Sequence, residues 1–186
     1  GLSLLSNLSA WDFGYITNTV LVERTSNTLD TLQRMEKYQG HLYNWYDTVS
    51  LVPLAPRYIS NVNSGNFVGS LLTLRQALLK IPDNKIIQEN IFEGIIDAIG
   101  ILIEKTPDTS LLKQLQEEIQ ENSHLHIHNL GSLKNYLDKI DQSVKDILIK
   151  LDLDTDDEDD WWAEKLVIQI KNIKQDVSTF FPWLSL

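Results

Sequence analysis

An all-α chain of antiparallel helical hairpins is the fold this sequence predicts. Two observations carry that reading. Apolar residues recur every three or four positions over nearly the whole length, and the stretches between them are short, roughly two to eight residues. A third observation marks the exception. From His41 to Ser60 the period is lost, and Pro53 and Pro56 forbid a helix, so a short β-hairpin or ordered loop is expected there.

The elements follow in order. Leu4, Leu5, Leu8, Trp11 and Tyr15 share one face of a first helix. Thr17 is the N-cap candidate of a second, which runs to about Tyr38 with Leu29, Leu32 and Met35 inward and Gly40 as its C-terminal stop. Asn63-Ser64-Gly65-Asn66 opens a third, continuing through Leu71, Leu72, Leu74 and Leu78 to end before Pro82. Asp83 is expected to cap a fourth, with Ile87, Ile91, Ile95, Ala98 and Leu102 inward. Thr109 or Ser110 caps a fifth, with Leu112, Leu115 and Ile119 inward. Leu133, Leu137, Ile140, Val144, Ile147 and Leu151 form the most regular stripe. Trp162, Leu166, Ile170, Ile173, Val177 and Phe180 repeat it in the last helix. Faces of this kind cannot stay in water, so each needs a partner helix.

The 186 residues, 42% of them hydrophobic, suffice for one compact core. There is no cysteine, which removes disulfides, thiolate metal sites and a cysteine nucleophile, and fits a reducing compartment. The net charge of -10 is uneven: residues 1–80 carry 6 basic against 5 acidic side chains, residues 81–186 carry 10 against 21. Nucleic acid and anionic membrane surfaces are poor partners for such a chain. No apolar run is long enough to span a bilayer, and the apolar start lacks the basic region of a signal peptide. Both ends read as interior chain exposed by truncation, so bared apolar surface around Leu2–Trp11 or Phe180–Leu186, or dimerisation through it, is expected.

The irregular region is where chemistry concentrates. A sugar ring presents hydroxyls at its edge and C–H groups on its faces, so a sugar site needs aromatic platforms beside amide, carboxylate or guanidinium groups. Tyr43, Asn44, Trp45, Tyr46, Asp47, Arg57, Tyr58, Asn63, Ser64 and Asn66 supply both kinds within one short stretch. The competing reading is structural: Trp45 and Tyr46 as core plugs, Asn44 and Asp47 as turn caps.

The order of these residues is distinctive. Gly40-His41-Leu42-Tyr43-Asn44-Trp45-Tyr46-Asp47-Thr48, then Pro53-Leu54, Pro56-Arg57-Tyr58-Ile59-Ser60, then Ser64-Gly65-Asn66, resembles a stretch of the bacterial cyclic β-1,2-glucan synthases. Leu4-Leu5-Ser6, Trp11-Asp12-Phe13-Gly14 and Leu29-Asp30-Thr31-Leu32 are similar to the segments that precede it there. One departure is Asn63, where the family pattern has an acidic residue. The likeness covers about residues 1–80; residues 81–160 read as a helical insertion, and 161–186 as the family pattern resuming. The resemblance implies a piece of a large membrane-bound enzyme on the cytoplasmic side of the bacterial inner membrane. That enzyme polymerises glucose from UDP-glucose and closes the chain by transglycosylation. It further implies part of an (α/α)6 toroid, the glucoamylase-like middle module. The principal catalytic carboxylates and the UDP-glucose site would lie outside these residues, leaving this chain no cofactor and a β-1,2-glucan chain and the rest of the parent polypeptide as partners.

Other constellations are weaker. His124, His126 and His128 alternate with Leu125 and Ile127, which in an extended segment would align three imidazoles; no carboxylate completes the set, so an ordinary loop or edge strand is expected. Asp152, Asp154 and Asp156 begin like a calcium loop, but Asp157 stands where the loop needs Gly and Ala163 where it needs Glu. Acids from Asp156 to Asp160 suit the start of the last helix. Asp47 with Glu36, or Glu93 with Asp97, could be paired as hydrolase carboxylates, yet neither pair stands out as acid and base. A complete toroidal hydrolase needs more chain than this, which disfavours a stand-alone enzyme. The reading from another class is a non-catalytic helical interaction module whose aromatic loop docks a protein.

Overall fold

The computed structural model describes residues 1–107, 109–151 and 158–185. Its helices are α1 (Leu2–Asp12), α2 (Asn18–Arg34), α3 (Asn61–Lys80), α4 (Asn90–Lys105), α5 (Ser110–His126), α6 (Leu130–Lys150) and α7 (Glu158–Phe180). Strands β1 (Lys37–Tyr38) and β2 (His41–Leu42) pair antiparallel, and short 3-10 turns span Ile81–Asp83 and Pro182–Ser185. The expected all-α class with one small β element is what forms.

The chain divides into two compact units: Gly1–Ser9 with Leu21–Asn84, and Ala10–Val20 with Lys85–Leu186. The second is a four-helix arrangement in which α4 packs on α5 and α7, and α6 on α5 and α7. The apolar stripes meet at its centre: Ile95, Ile99 and Leu102 with Leu112 and Ile119, Leu133, Leu137 and Ile140, and Leu166 and Ile170, all essentially inaccessible to solvent. At about 25 cal/mol per Å² of apolar surface removed from water, these stripes are the main stabilising term of the unit.

Residues Ala10–Val20 join the same unit through backbone contacts. Gly14 has φ +75, and a Cβ there would lie 1.9 Å from the Asn90 carbonyl oxygen; a Cβ on Gly94 would lie 2.5 Å from the Gly14 oxygen. Neither position has room for a side chain. Asn90 Nδ2 donates to the carbonyls of Trp11 (3.3 Å) and Asp12 (2.8 Å), and buried Gln169 Nε2 donates to that of Gly14 (3.0 Å). These amides satisfy carbonyls that the end of α1 leaves without helical partners.

The first unit is leaner. Leu4, Leu21 and Leu74 are its buried large hydrophobics among the described residues, while Val62, Val68, Leu72 and Leu79 of α3 are more than half exposed. Thr17 does cap α2, accepting from Val20 N–H at 3.5 Å, but α2 ends at Arg34 and not near Tyr38. The reason is local. Gln39 (φ 50) and Gly40 (φ 85) both take the left-handed conformation of a two-residue hairpin turn, so Lys37 and Tyr38 pair with Leu42 and His41. Gly40 is a hairpin turn, not a helix stop.

Other expectations shift similarly. α3 starts at Asn61, ahead of the Asn63-Ser64-Gly65-Asn66 run, because Ser60 Oγ accepts from Asn63 N–H at 3.2 Å. Leu72, expected inward, is 58% exposed. Asp83 lies in a 3-10 turn and does not cap α4, which starts at Asn90; Ile87 is buried from the connection between them. In α1 only Leu4 of the expected face is buried, and Tyr15 lies beyond the helix, exposed. His124 and His126 are helical, so three imidazoles do not align as in an extended strand. His126 Nδ1 instead bonds Ser132 Oγ (2.6 Å) and its ring stacks on Tyr136 at 4.2 Å. Burial, with Glu118 nearby, pushes the Tyr136 phenol up to about 12. The calcium-like run 152–157, which lacks the Gly such a loop needs, lies outside the described residues.

Candidate functional site

The first unit holds a groove of about 860 Å³ between the hairpin and the first two turns of α3. Two side-chain pairs cross it. His41 Nδ1 lies 3.0 Å from Ser64 Oγ, and Asn63 Nδ2 donates to Asn44 Oδ1 at 3.2 Å. Tyr43 and Phe67 contribute aromatic surface to its lining. No lining side chain is acidic or basic apart from His41, so these side chains suit an uncharged, hydroxyl-rich ligand.

The hairpin places these groups because the chain is fixed at both ends of the irregular stretch. Asn44 N–H donates to the Tyr58 carbonyl (2.9 Å), Leu54 N–H to that of Trp45 (3.0 Å), and Asp47 N–H to that of Val52 (2.9 Å), while Tyr46 bridges Pro53. These bonds bring Trp45 and Tyr58 together as a stacked pair, centroids 6.1 Å apart and planes at 28°. The two rings are 51% and 53% exposed. Large aromatic rings held rigid and open to water are the platforms on which sugar faces stack.

The other expected site residues divide by role. Tyr46 ties the loop together: its hydroxyl accepts from Tyr43 N–H (2.8 Å) and donates to the Glu36 carbonyl (2.7 Å). Asp47 closes a turn, its Oδ1 accepting from Ser50 N–H (2.6 Å), Ser50 Oγ (2.7 Å) and Val49 N–H (3.1 Å). The Ser50 amide and hydroxyl, then the Val49 amide, hold its carboxyl below the usual range. Arg57 forks onto Glu36 (2.8 and 3.5 Å) with its guanidinium 5.7 Å from the Tyr43 ring centroid. So Glu36 pairs with Arg57. Asn66 lies in α3, where its carbonyl accepts from Ser70 Oγ (2.8 Å), and its side chain is outside the groove lining. Tyr43, Asn44, Asn63 and Ser64 are thus gathered in one groove, with Trp45 and Tyr58 as an exposed stack. His41, Phe67 and Glu36 belong to this neighbourhood and are absent from the residues chosen on sequence. His41 stands inside the distinctive motif, which was the signal available for it.

In the second unit Glu93 and Asp97 line a separate groove of about 440 Å³ with Glu89 and His124. Tyr15 Oη donates to Asp97 Oδ2 (2.9 Å); that bond, then burial, raises the Tyr15 phenol.

No family model matches the chain. Over 106 residues, 56% of its length, the chain is 41% identical to the cyclic beta-(1,2)-glucan synthase NdvB of Rhizobium meliloti (strain 1021). The chain is related to a cyclic glucan synthase. The matched stretch amounts to 4% of the Rhizobium protein, so the chain corresponds to a small part of a much longer polypeptide. Among the described residues no helix is long and apolar enough to cross a membrane.

Proposed function

We propose that this chain is a glucan-contacting part of a cyclic β-1,2-glucan synthase, without the principal catalytic carboxylates. The observation that carries the reading is the Trp45–Tyr58 stack, half open to water and fixed by backbone bonds next to a groove crossed by amide and hydroxyl pairs. The stack offers the ring faces of successive glucose units a platform, while Asn44, Asn63, Ser64 and His41 address ring hydroxyls. In this reading Tyr46, Asp47 and Arg57 hold the loop in shape and do not touch sugar. The helices would form part of a glucoamylase-like (α/α)6 toroid. UDP-glucose chemistry would belong to other parts of a parent on the cytoplasmic side of a bacterial inner membrane.

Calorimetric titration with β-1,2-glucooligosaccharides tests the contact directly. Weak, saturable binding is expected, and Trp45→Ala with Tyr58→Ala should reduce it by about tenfold or more, the scale of one or two lost stacking contacts. Binding unchanged in the double variant would overturn the assignment. The exposed face of α3, with Val62, Val68 and Leu72, supports the second reading, a protein-interaction module. That reading requires Leu72→Asp to abolish partner capture while oligosaccharide binding persists.

A further inference from the structure

The bundle carries a feature that glucan contact does not use. Between the first half of α6 and the second half of α7 lies a groove of about 340 Å³. Leu137 and Val177, 1% and 3% exposed, and Leu184 of the closing 3-10 turn give it an apolar lining. Three ammonium groups border it: Lys134, Lys171 and Lys174. This runs against the local trend, since residues 81–186 hold 21 acidic side chains against 10 basic ones.

The three lysines differ. Lys174 is held by Asp138 (2.8 Å) and Asp141 (2.6 Å). Burial alone would lower its pKa, but the two carboxylates outweigh that and leave it raised. Lys134 Nζ donates to the Leu184 carbonyl at 2.8 Å, which leaves its charge without a carboxylate. Lys171 pairs with no carboxylate among the described residues. Two uncompensated positive charges therefore stand over an apolar floor.

We propose that this groove binds a monomeric anionic amphiphile, a medium-length alkyl chain ending in a carboxylate, with the head at Lys171 and Lys134 and the tail on Leu137, Val177 and Leu184. The charge pattern selects the head: a compact ammonium attracts a carboxylate and offers donors to it, whereas a neutral hydroxyl gains only the apolar part of the contact. The acidic surround selects the monomer over a bilayer. Asp138 and Asp141 border the lysines, and a chain of net charge -10 is repelled by an anionic membrane surface. The volume matches the lower end of small-molecule sites, which run from about 300 Å³ upward.

The test is an amide NMR titration of the 186-residue chain with decanoate below its micelle concentration, run beside decanol. Expected are saturable shifts confined to residues 134–141, 171–178 and the closing turn. Decanol should bind at least about fivefold more weakly, Lys171→Ala should lose about the same factor for decanoate alone, and Lys171→Arg should stay within about twofold of the parent. Lys171 is exposed and has no ion-pair partner among the described residues, so its variants keep the fold, which circular dichroism checks. Equal affinity for decanol, indifference to Lys171→Ala, or shifts scattered over other apolar surfaces would overturn the proposal. So would co-sedimentation with phosphatidylglycerol vesicles while monomeric decanoate leaves α6 and α7 unmoved.

Discussion

At Gly14 a single missing atom decides the local structure. With φ +75 and a would-be Cβ 1.9 Å from the Asn90 oxygen, Gly14→Ala meets both backbone strain and a clash that only a shift of α4 can relieve. We expect it to destabilise the chain by about 2 to 4 kcal/mol, read as a lowered urea midpoint. Asp47 makes a prediction about pH. Its folded pKa is depressed below the ordinary 3.8, so the stabilisation it lends the loop is full above that value and fades as pH falls through the folded pKa. Exchange of the Val49 and Ser50 amides should therefore be protected at neutral pH and lose protection in that acid window. Asp47→Asn should remove the pH dependence; protection independent of pH in the parent would contradict the assigned bonds. The sequence motif put Asp47 among sugar-binding candidates because residue type alone cannot separate a turn cap from a ligand contact. The Val49 and Ser50 donors show the turn that its Oδ1 closes.

Among the elements, the caps explain most of the boundary differences. Ser60 Oγ takes the Asn63 amide and Asn129 Oδ1 takes the Ser132 amide, and each fixes the start of a long helix. Ser60→Ala should cost about 1 kcal/mol of stability. It should also loosen the Asn44–Asn63 contact, since Asn63 sits in the turn that this cap holds. Line broadening at Asn44 and Asn63 in the variant would register that coupling; sharp, unshifted resonances would deny it. Helix periodicity located α6 and α7 almost residue by residue because their apolar stripes are long and uninterrupted. It found α1 but carried it past its end at Asp12, to Tyr15, and it failed at the end of α2, where the Gln39-Gly40 turn claims the chain for a hairpin.

Across the whole molecule the two units differ in how much apolar surface they bury. The helices α4 to α7 share a continuous core from Ile87 to Val177, whereas the first unit buries three large hydrophobics among its described residues. Native-state hydrogen exchange should follow that difference. Core amides of α4, α6 and α7 should be the slowest to exchange, and those of α3 and the β1–β2 hairpin markedly faster. Equal protection throughout would mean that the first unit draws stability from contacts other than apolar burial. The charge asymmetry follows the same division, with the acid excess concentrated from residue 81 onward.

The all-α class, the facing stripes of the last helices and the kinship with a glucan synthase were legible in the residues alone. Each of those is written in a local period or an ordered motif. Which motif residues come together depends on contacts between distant parts of the chain. Trp45 and Tyr58 are 13 residues apart and become one platform only because Asn44 N–H reaches the Tyr58 carbonyl. Tyr46 and Asp47, of the same chemical kinds, bond within the loop and to Glu36, Tyr46 through its hydroxyl and Asp47 through Oδ1.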